Sequence, residues 1–175
     1  MSVGAEPLLS RRSAIALLIA LAVCFAASVI GGTLTRPNLD WYATLTKPSF
    51  APPNAVFPIV WPILYAMMAV AAWLVWRSGG DEGDKKTALV WFGFQLAINV
   101  LWSFAFFWMH SPSFGFGVIM ALLVAIVITI VLFDRLSRPA ALLLLPYVLW
   151  VGFAAGLNFV IWVLNSGIDF NQAPS

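Results

Sequence analysis

"WYATLTKPSFAPPNAVFPIVWP", residues 41–62, separates two long apolar runs and carries prolines at 48, 52, 53, 58 and 62. Each proline removes a backbone donor and holds its own φ at about −65°, and the residue before it is pushed toward extended geometry. The connection is therefore expected to be stiff and extended, not helical, up to about Pro53. Pro58 and Pro62 fall inside the next apolar run, where they leave carbonyls unpaired and are expected to kink a helix. Trp41, Tyr42 and Phe50 give this connection apolar surface to hide. The mouth of the adjoining bundle is the nearest place to hide it, so the stretch reads as a lid.

The flanking runs belong in lipid. Of 175 residues, 62% are hydrophobic and 9% charged, against about 45–50% and about 25% in soluble domains. The charges fall between five apolar segments, Ser13–Gly32, Ala55–Trp76, Thr87–Met109, Phe114–Phe133 and Pro139–Asn165. Each has the roughly 20 residues that a membrane-crossing helix needs. Barrel strands would be shorter and would alternate in polarity. The expected fold is an all-α membrane protein: a bundle of five transmembrane helices with a long proline-rich loop between helices 1 and 2, residues 1–175 forming one domain. The first run follows Arg11 and Arg12 and is read as a retained span, not a cleaved leader. Cys24 is the only cysteine, which excludes a disulfide within the chain. The net charge of +2 is spread thinly along segment flanks, which makes membrane lipid, not nucleic acid, the expected surface partner.

Five crossings put the termini on opposite sides. Arg11, Arg12, Arg77, Lys85, Lys86, Arg135 and Arg138 fall on the N-terminal side, and only Arg36 and Lys47 on the other. The positive-inside rule therefore predicts a cytoplasmic N-terminus and an outward-facing proline-rich connection.

No ionisable acid or base lies deep in a span. This argues against proton-coupled carriers, charge-ringed channels and catalysis by paired carboxylates. No nucleophile with a base at usable spacing is present, and lone His110 has no second metal ligand near it in sequence. The polar signal is uncharged. Trp91, Gln95, Asn99, Trp102 and Phe106 recur at steps of four, four, three and four residues, which is one helical face. Tyr147, Trp150, Ala154 and Asn158 repeat the pattern in the fifth segment, and Trp61 and Tyr65 in the second. An unpaired amide in hydrocarbon costs about 4–8 kcal/mol, so these faces should point into the bundle. Spacing alone leaves two readings open: interhelical hydrogen-bonded packing, or the wall of a ligand cavity. Trp73, Trp76, Trp108 and Trp162, near segment ends, suit an interfacial belt. Small residues four apart, at Ala22 and Ala26, Ala27 and Gly31, Ser28 and Gly32, and Gly152 and Gly156, allow close helix approach within the bundle or in a homodimer.

Four stretches in order, "WYATLTKPSFAPP", "FPIVWPILY", "QLAINVLWSFAFF" and "LPYVLWVGFAAGLNF", resemble the translocator protein family, the tryptophan-rich sensory proteins known as TspO, over about residues 15–165. The animal members were called peripheral-type benzodiazepine receptors. The resemblance implies a five-helix bundle, often dimeric, with a pocket beneath the first loop. It also implies porphyrins, haem-related tetrapyrroles, benzodiazepines and isoquinoline carboxamides as ligands, with no cofactor required. By motif, Trp61, Asn99 and Trp150 match pocket residues, and Tyr42 matches a lid tyrosine implicated with Trp150 in porphyrin photochemistry.

The expected ligand-binding set is then Trp61, Asn99, Trp150, Tyr42, Tyr65, Gln95, Trp102, Tyr147 and Asn158, with Trp41, Pro48, Phe50, Pro52 and Pro53 as lid. Flat ligands are expected to stack between Trp61 and Trp150. Phe50 stands where the family often has tryptophan, and "LNFVIWVLNSG" lacks the tyrosine and basic residue of the cholesterol-associated motif. The leading expectation is a tetrapyrrole receptor or sensor. The alternatives are a transporter of tetrapyrroles, lipids or sterols, and light-dependent porphyrin breakdown through Tyr42 and Trp150.

Overall fold

The computed structural model describes residues 10–167. Helix α1 spans Arg11–Thr35, its first turn capped by Ser10, whose side chain accepts from Ser13 N at 3.0 Å. A 3-10 turn over Arg36–Asn38 leads into a short helix α2, Leu39–Thr44. This corrects the extended reading of the connection. Its first part contains a single proline, Pro37, at the start of a helical turn where the missing N–H has no partner to lose. Residues 45–53 are non-helical, and a second 3-10 turn, Asn54–Val56, starts α3, Phe57–Trp76. Pro58 occupies the first turn of α3, and the helix runs on through Pro62.

Helix α4, Glu82–Ser103, starts at Asp81, whose carboxylate accepts from Gly83 N at 2.8 Å. It passes into a π-helical turn over Phe104–Trp108, marked by the Met109 N to Phe104 O bond of 2.9 Å. Helix α5 covers Pro112–Leu136. The fifth apolar segment, expected as one helix, is two: α6, Arg138–Leu143, and α7, Leu145–Asn165. The break at Leu144 follows from Pro146, which has no N–H and whose ring would strike the carbonyl four residues back. Among the described residues five helical stretches are long and apolar enough to cross a membrane: Arg11–Thr44, Asn54–Trp76, Glu82–Trp108, Pro112–Leu136 and Arg138–Asn165.

The spans close into a ring. Helix α1 packs on α3 and α4, α4 on α5, and α5 on α6 and α7, while α6 returns to α3. Near α6 the second and fifth spans lie close, helped by buried Ala69 and Ala72 on α3 and Ala140 and Ala141 on α6. Toward α7 they scarcely touch, so the ring is tight at one end and parted at the other. At the tight end Trp73 Nε1 donates to Ser13 O at 3.0 Å, joining α1 to α3, and Phe92 stacks on Phe133 across α4 and α5 at 5.8 Å. Leu18 and Val29 on α1, Val124 on α5 and Leu149 on α7 face outward, where hydrocarbon covers them at no cost. Of the small pairs, Ala27 and Gly31 are buried in the bundle. Ala22, Ala26, Gly152 and Gly156 are exposed on its outer surface.

Candidate ligand cavity

The parted end of the ring holds a partly open cavity of about 340 Å³, inside the range of about 300–1,000 Å³ typical of small-molecule sites. Helix α1 gives it a wall of small residues, Ser28, Gly31, Gly32 and Thr35, which keep their backbone close to the void. Helix α3 supplies Phe57, Pro58, Trp61, Pro62 and Tyr65. The end of α4 and its π turn supply Asn99, Trp102, Ser103, Phe106 and Phe107. Helix α7 contributes Ala154, Leu157, Asn158 and Ile161, and the loop end is closed by Arg36, Leu39, Tyr42 and Asn54.

The aromatic rings form a continuous series. Trp61 lies 6.5 Å from Trp102 at 31° and 5.7 Å from Tyr65, and Trp102 stacks on Phe106 at 5.7 Å. Tyr42, buried, reaches the same cluster 6.2 Å from Phe106. The polar groups are arranged just as continuously. Tyr65 OH donates to Asn99 Oδ1 at 2.8 Å, Asn99 Nδ2 donates to Tyr147 OH at 2.9 Å, and Tyr147 OH donates to Gln95 Oε1 at 2.9 Å. A second link runs from Trp102 Nε1 to Asn158 Oδ1 at 3.1 Å, and Asn158 Nδ2 donates to Pro112 O at 2.7 Å. The amides thus serve as interhelical packing and as cavity wall together: each bond joins two spans, and Asn99 and Asn158 still border the void.

The candidate residues divide into layers. Trp61, Tyr65, Asn99, Trp102, Asn158 and Tyr42 border the cavity. Gln95 and Tyr147 are fully buried one layer behind it and hold Asn99 in place. Trp91, at the far end of the same stripe, is half-exposed and meets Phe94 edge-on at 5.5 Å. Trp150 is not in the wall. It packs on Phe57 at 5.9 Å and on Phe153 at 5.7 Å, so Phe57 stands between it and the void. The expected sandwich between Trp61 and Trp150 is therefore replaced by the pair Trp61 and Trp102. The reason is angular: Trp150 lies on the edge of the α7 stripe that turns toward α3. The Trp150 Nε1 and Gln95 Nε2 atoms are buried without a hydrogen-bond partner among the described residues.

The roof differs from the proline-rich lid. Pro48, Phe50, Pro52 and Pro53 do not border the void, and Phe50 is exposed against Phe153 at 6.3 Å. The helical part of the connection closes the cavity, through Leu39 and Tyr42 of α2. Trp41, on the other face of α2, stacks on His110 at 4.4 Å, and His110 Nε2 lies 2.9 Å from Asn38 Oδ1. His110 has a left-handed backbone, φ 52°, rare for a residue with a side chain. Asn165 at the end of α7 accepts from Thr46 N at 3.0 Å and donates to Thr46 O at 2.9 Å, pinning the extended stretch. Lys47 Nζ donates to the carbonyls of Tyr42 at 2.7 Å and Leu45 at 3.0 Å, ending α2. None of these clamps, nor the α1 wall, belongs to the aromatic and amide stripes. Among the described residues no group of three or more His, Cys, Asp or Glu is placed to hold a metal ion.

Fold and cavity together define a multi-pass α-helical membrane protein with an aromatic, amide-bearing chamber inside its bundle. The pattern of the TspO/MBR family matches residues 20–163. The chain is 41% identical over 155 residues to the tryptophan-rich protein TspO of Chlorobaculum tepidum, covering 88% of this chain and 98% of that one. It is 37% identical to the tryptophan-rich sensory protein of Cereibacter sphaeroides, over 83% of this chain and 88% of that one. Against the translocator protein of Homo sapiens it is 39% identical over 74% of this chain and 78% of the relative. The chain belongs to the TspO/MBR family.

Proposed function

We propose that this chain is a membrane receptor or sensor whose cavity takes a flat, largely apolar ligand of the tetrapyrrole kind, porphyrin or haem-related. The same cavity would accept benzodiazepine-like and isoquinoline-carboxamide-like molecules. The observation that carries the reading is the aromatic series Trp61, Trp102 and Phe106 along the cavity, flanked by Asn99 and Asn158 and roofed by Tyr42. Ring faces at these spacings favour planar π-systems, and two amides give such a ligand an orientation. The seven-to-two division of basic residues supports an N-terminus in the cytoplasm and the roof on the opposite side.

Gly32 provides the test. It borders the cavity, and a Cβ added there would meet nothing within 4 Å. A Gly32→Leu replacement therefore fills the chamber without straining the fold. Titration of purified protein with protoporphyrin should show affinity lost in this variant, with thermal stability kept. Unchanged affinity in a folded Gly32→Leu protein would contradict the cavity as the binding site.

A further inference from the structure

One charged residue borders a chamber whose other described lining residues are uncharged. Arg36, in the 3-10 turn between α1 and α2 and exposed, is the sole Lys, Arg, Asp or Glu among the described residues bordering the cavity. Asp40, four residues on, has the helical spacing that usually pairs opposite charges. Yet among the described residues the ion pair is Lys85 with Glu82, and Arg36 makes neither an ion pair nor a side-chain hydrogen bond. The other cation at this end of the bundle is already committed. Lys47 spends its ammonium on the carbonyls of Tyr42, Leu45 and Ala43, at 2.7, 3.0 and 3.4 Å, and lies 4.7 Å from the Tyr42 ring centre. An exposed arginine whose side chain bonds to no other described residue thus borders the mouth of a cavity walled by rings and amides.

Building on the cavity reading above, we infer that Arg36 is an anion-reading residue and that the natural ligand carries a carboxylate at the edge of its flat apolar body. The planar fork of arginine matches a carboxylate through two parallel N–H···O bonds, which a lysine ammonium cannot reproduce. The mouth is the right place for such a group. An anion carried deeper, between Trp61 and Trp102, would lose its hydration with only neutral amides to replace it. At Arg36 it stays partly in water while the apolar body enters the chamber. The competing role for an arginine at a helix end near the membrane surface is to meet lipid phosphate. That role does not depend on what fills the cavity.

The test compares protoporphyrin, which has two carboxylates, with its dimethyl ester, which has none. Both are titrated into wild-type protein, Arg36→Gln and Arg36→Lys. Wild type should prefer the acid, and added salt should reduce that preference. Arg36→Gln should lower affinity for the acid about tenfold, in keeping with a charge-assisted contact, and leave the ester within about twofold. Arg36→Lys should restore part of the preference. Equal affinity for acid and ester in all three proteins would overturn the inference and leave Arg36 to lipid phosphate. An equal loss of both probes in Arg36→Gln would also overturn it, as the mark of a structural role. Wild-type protein that binds neither probe would sink the cavity reading itself, and this inference with it.

Discussion

Tyr65 on α3 donates its hydroxyl proton to Asn99 Oδ1 on α4 at 2.8 Å, across the floor of the cavity. Asn99 passes the chain on to Tyr147 of α7 at 2.9 Å, so one amide joins three spans. Replacing it with alanine removes both bonds and leaves the buried Tyr65 hydroxyl without its partner, while Tyr147 keeps its bond to Gln95. Such a group costs about 1–3 kcal/mol when unpaired, although hydrogen bonds between membrane helices average about 0.6 kcal/mol. Asn99→Ala should therefore lower the thermal unfolding midpoint in detergent, and Tyr65→Phe should cost less once Asn99 is gone. Additive effects of the two changes would show that the bond carries no coupling.

Asn165 holds the extended stretch of the first loop against the end of α7 by two bonds to Thr46. These residues are exposed, so Asn165→Ala should change global stability by about 1 kcal/mol or less. The local effect should be larger. Amide exchange over residues 45–53 should quicken, because opening free energies differ between segments of one fold. Unaltered exchange there would mean that other contacts hold the loop.

Gly115 on α5 lies where three helices meet. A Cβ at this position would sit 3.0 Å from Phe106 Cβ and 3.1 Å from Asn158 Oδ1. Gly115→Ala should thus push apart the π turn and α7, at about 1–3 kcal/mol for overpacking, and weaken the Trp102 to Asn158 bond. The unfolding midpoint should fall, in contrast to Gly32→Leu, which has open space. Equal midpoints for the two variants would refute this difference in packing.

The spans were legible because charge is confined to their flanks, and the cavity stripe because amides and aromatics recur at helical spacing in three segments. Gln95, Asn99, Trp102 and Phe106 are all buried, as that spacing requires. Other parts carried no such signal. The α1 wall consists of Ser28, Gly31 and Gly32, whose contribution is the absence of bulk, and small residues four apart suit plain packing equally well. The Asn165 clamp joins positions 119 residues apart, which no local pattern encodes. Helix α2, six residues long beside a proline-rich stretch, leaves no periodic signal of its own, although Leu39–Thr44 contains no proline. Spacing does not separate Trp150 from the void-facing positions, because a periodic face is a broad arc and a residue at its edge can pack toward α3, as Trp150 does on Phe57.

The most direct measurement is a structure of the protein with protoporphyrin bound in a lipid bilayer. The expected result is the ring inside the bundle, in contact with Trp61 and Trp102, beneath Tyr42 and within hydrogen-bonding reach of Asn99 or Asn158. A porphyrin seated on the lipid-facing surface, with the chamber between α1, α3, α4 and α7 empty, would contradict it.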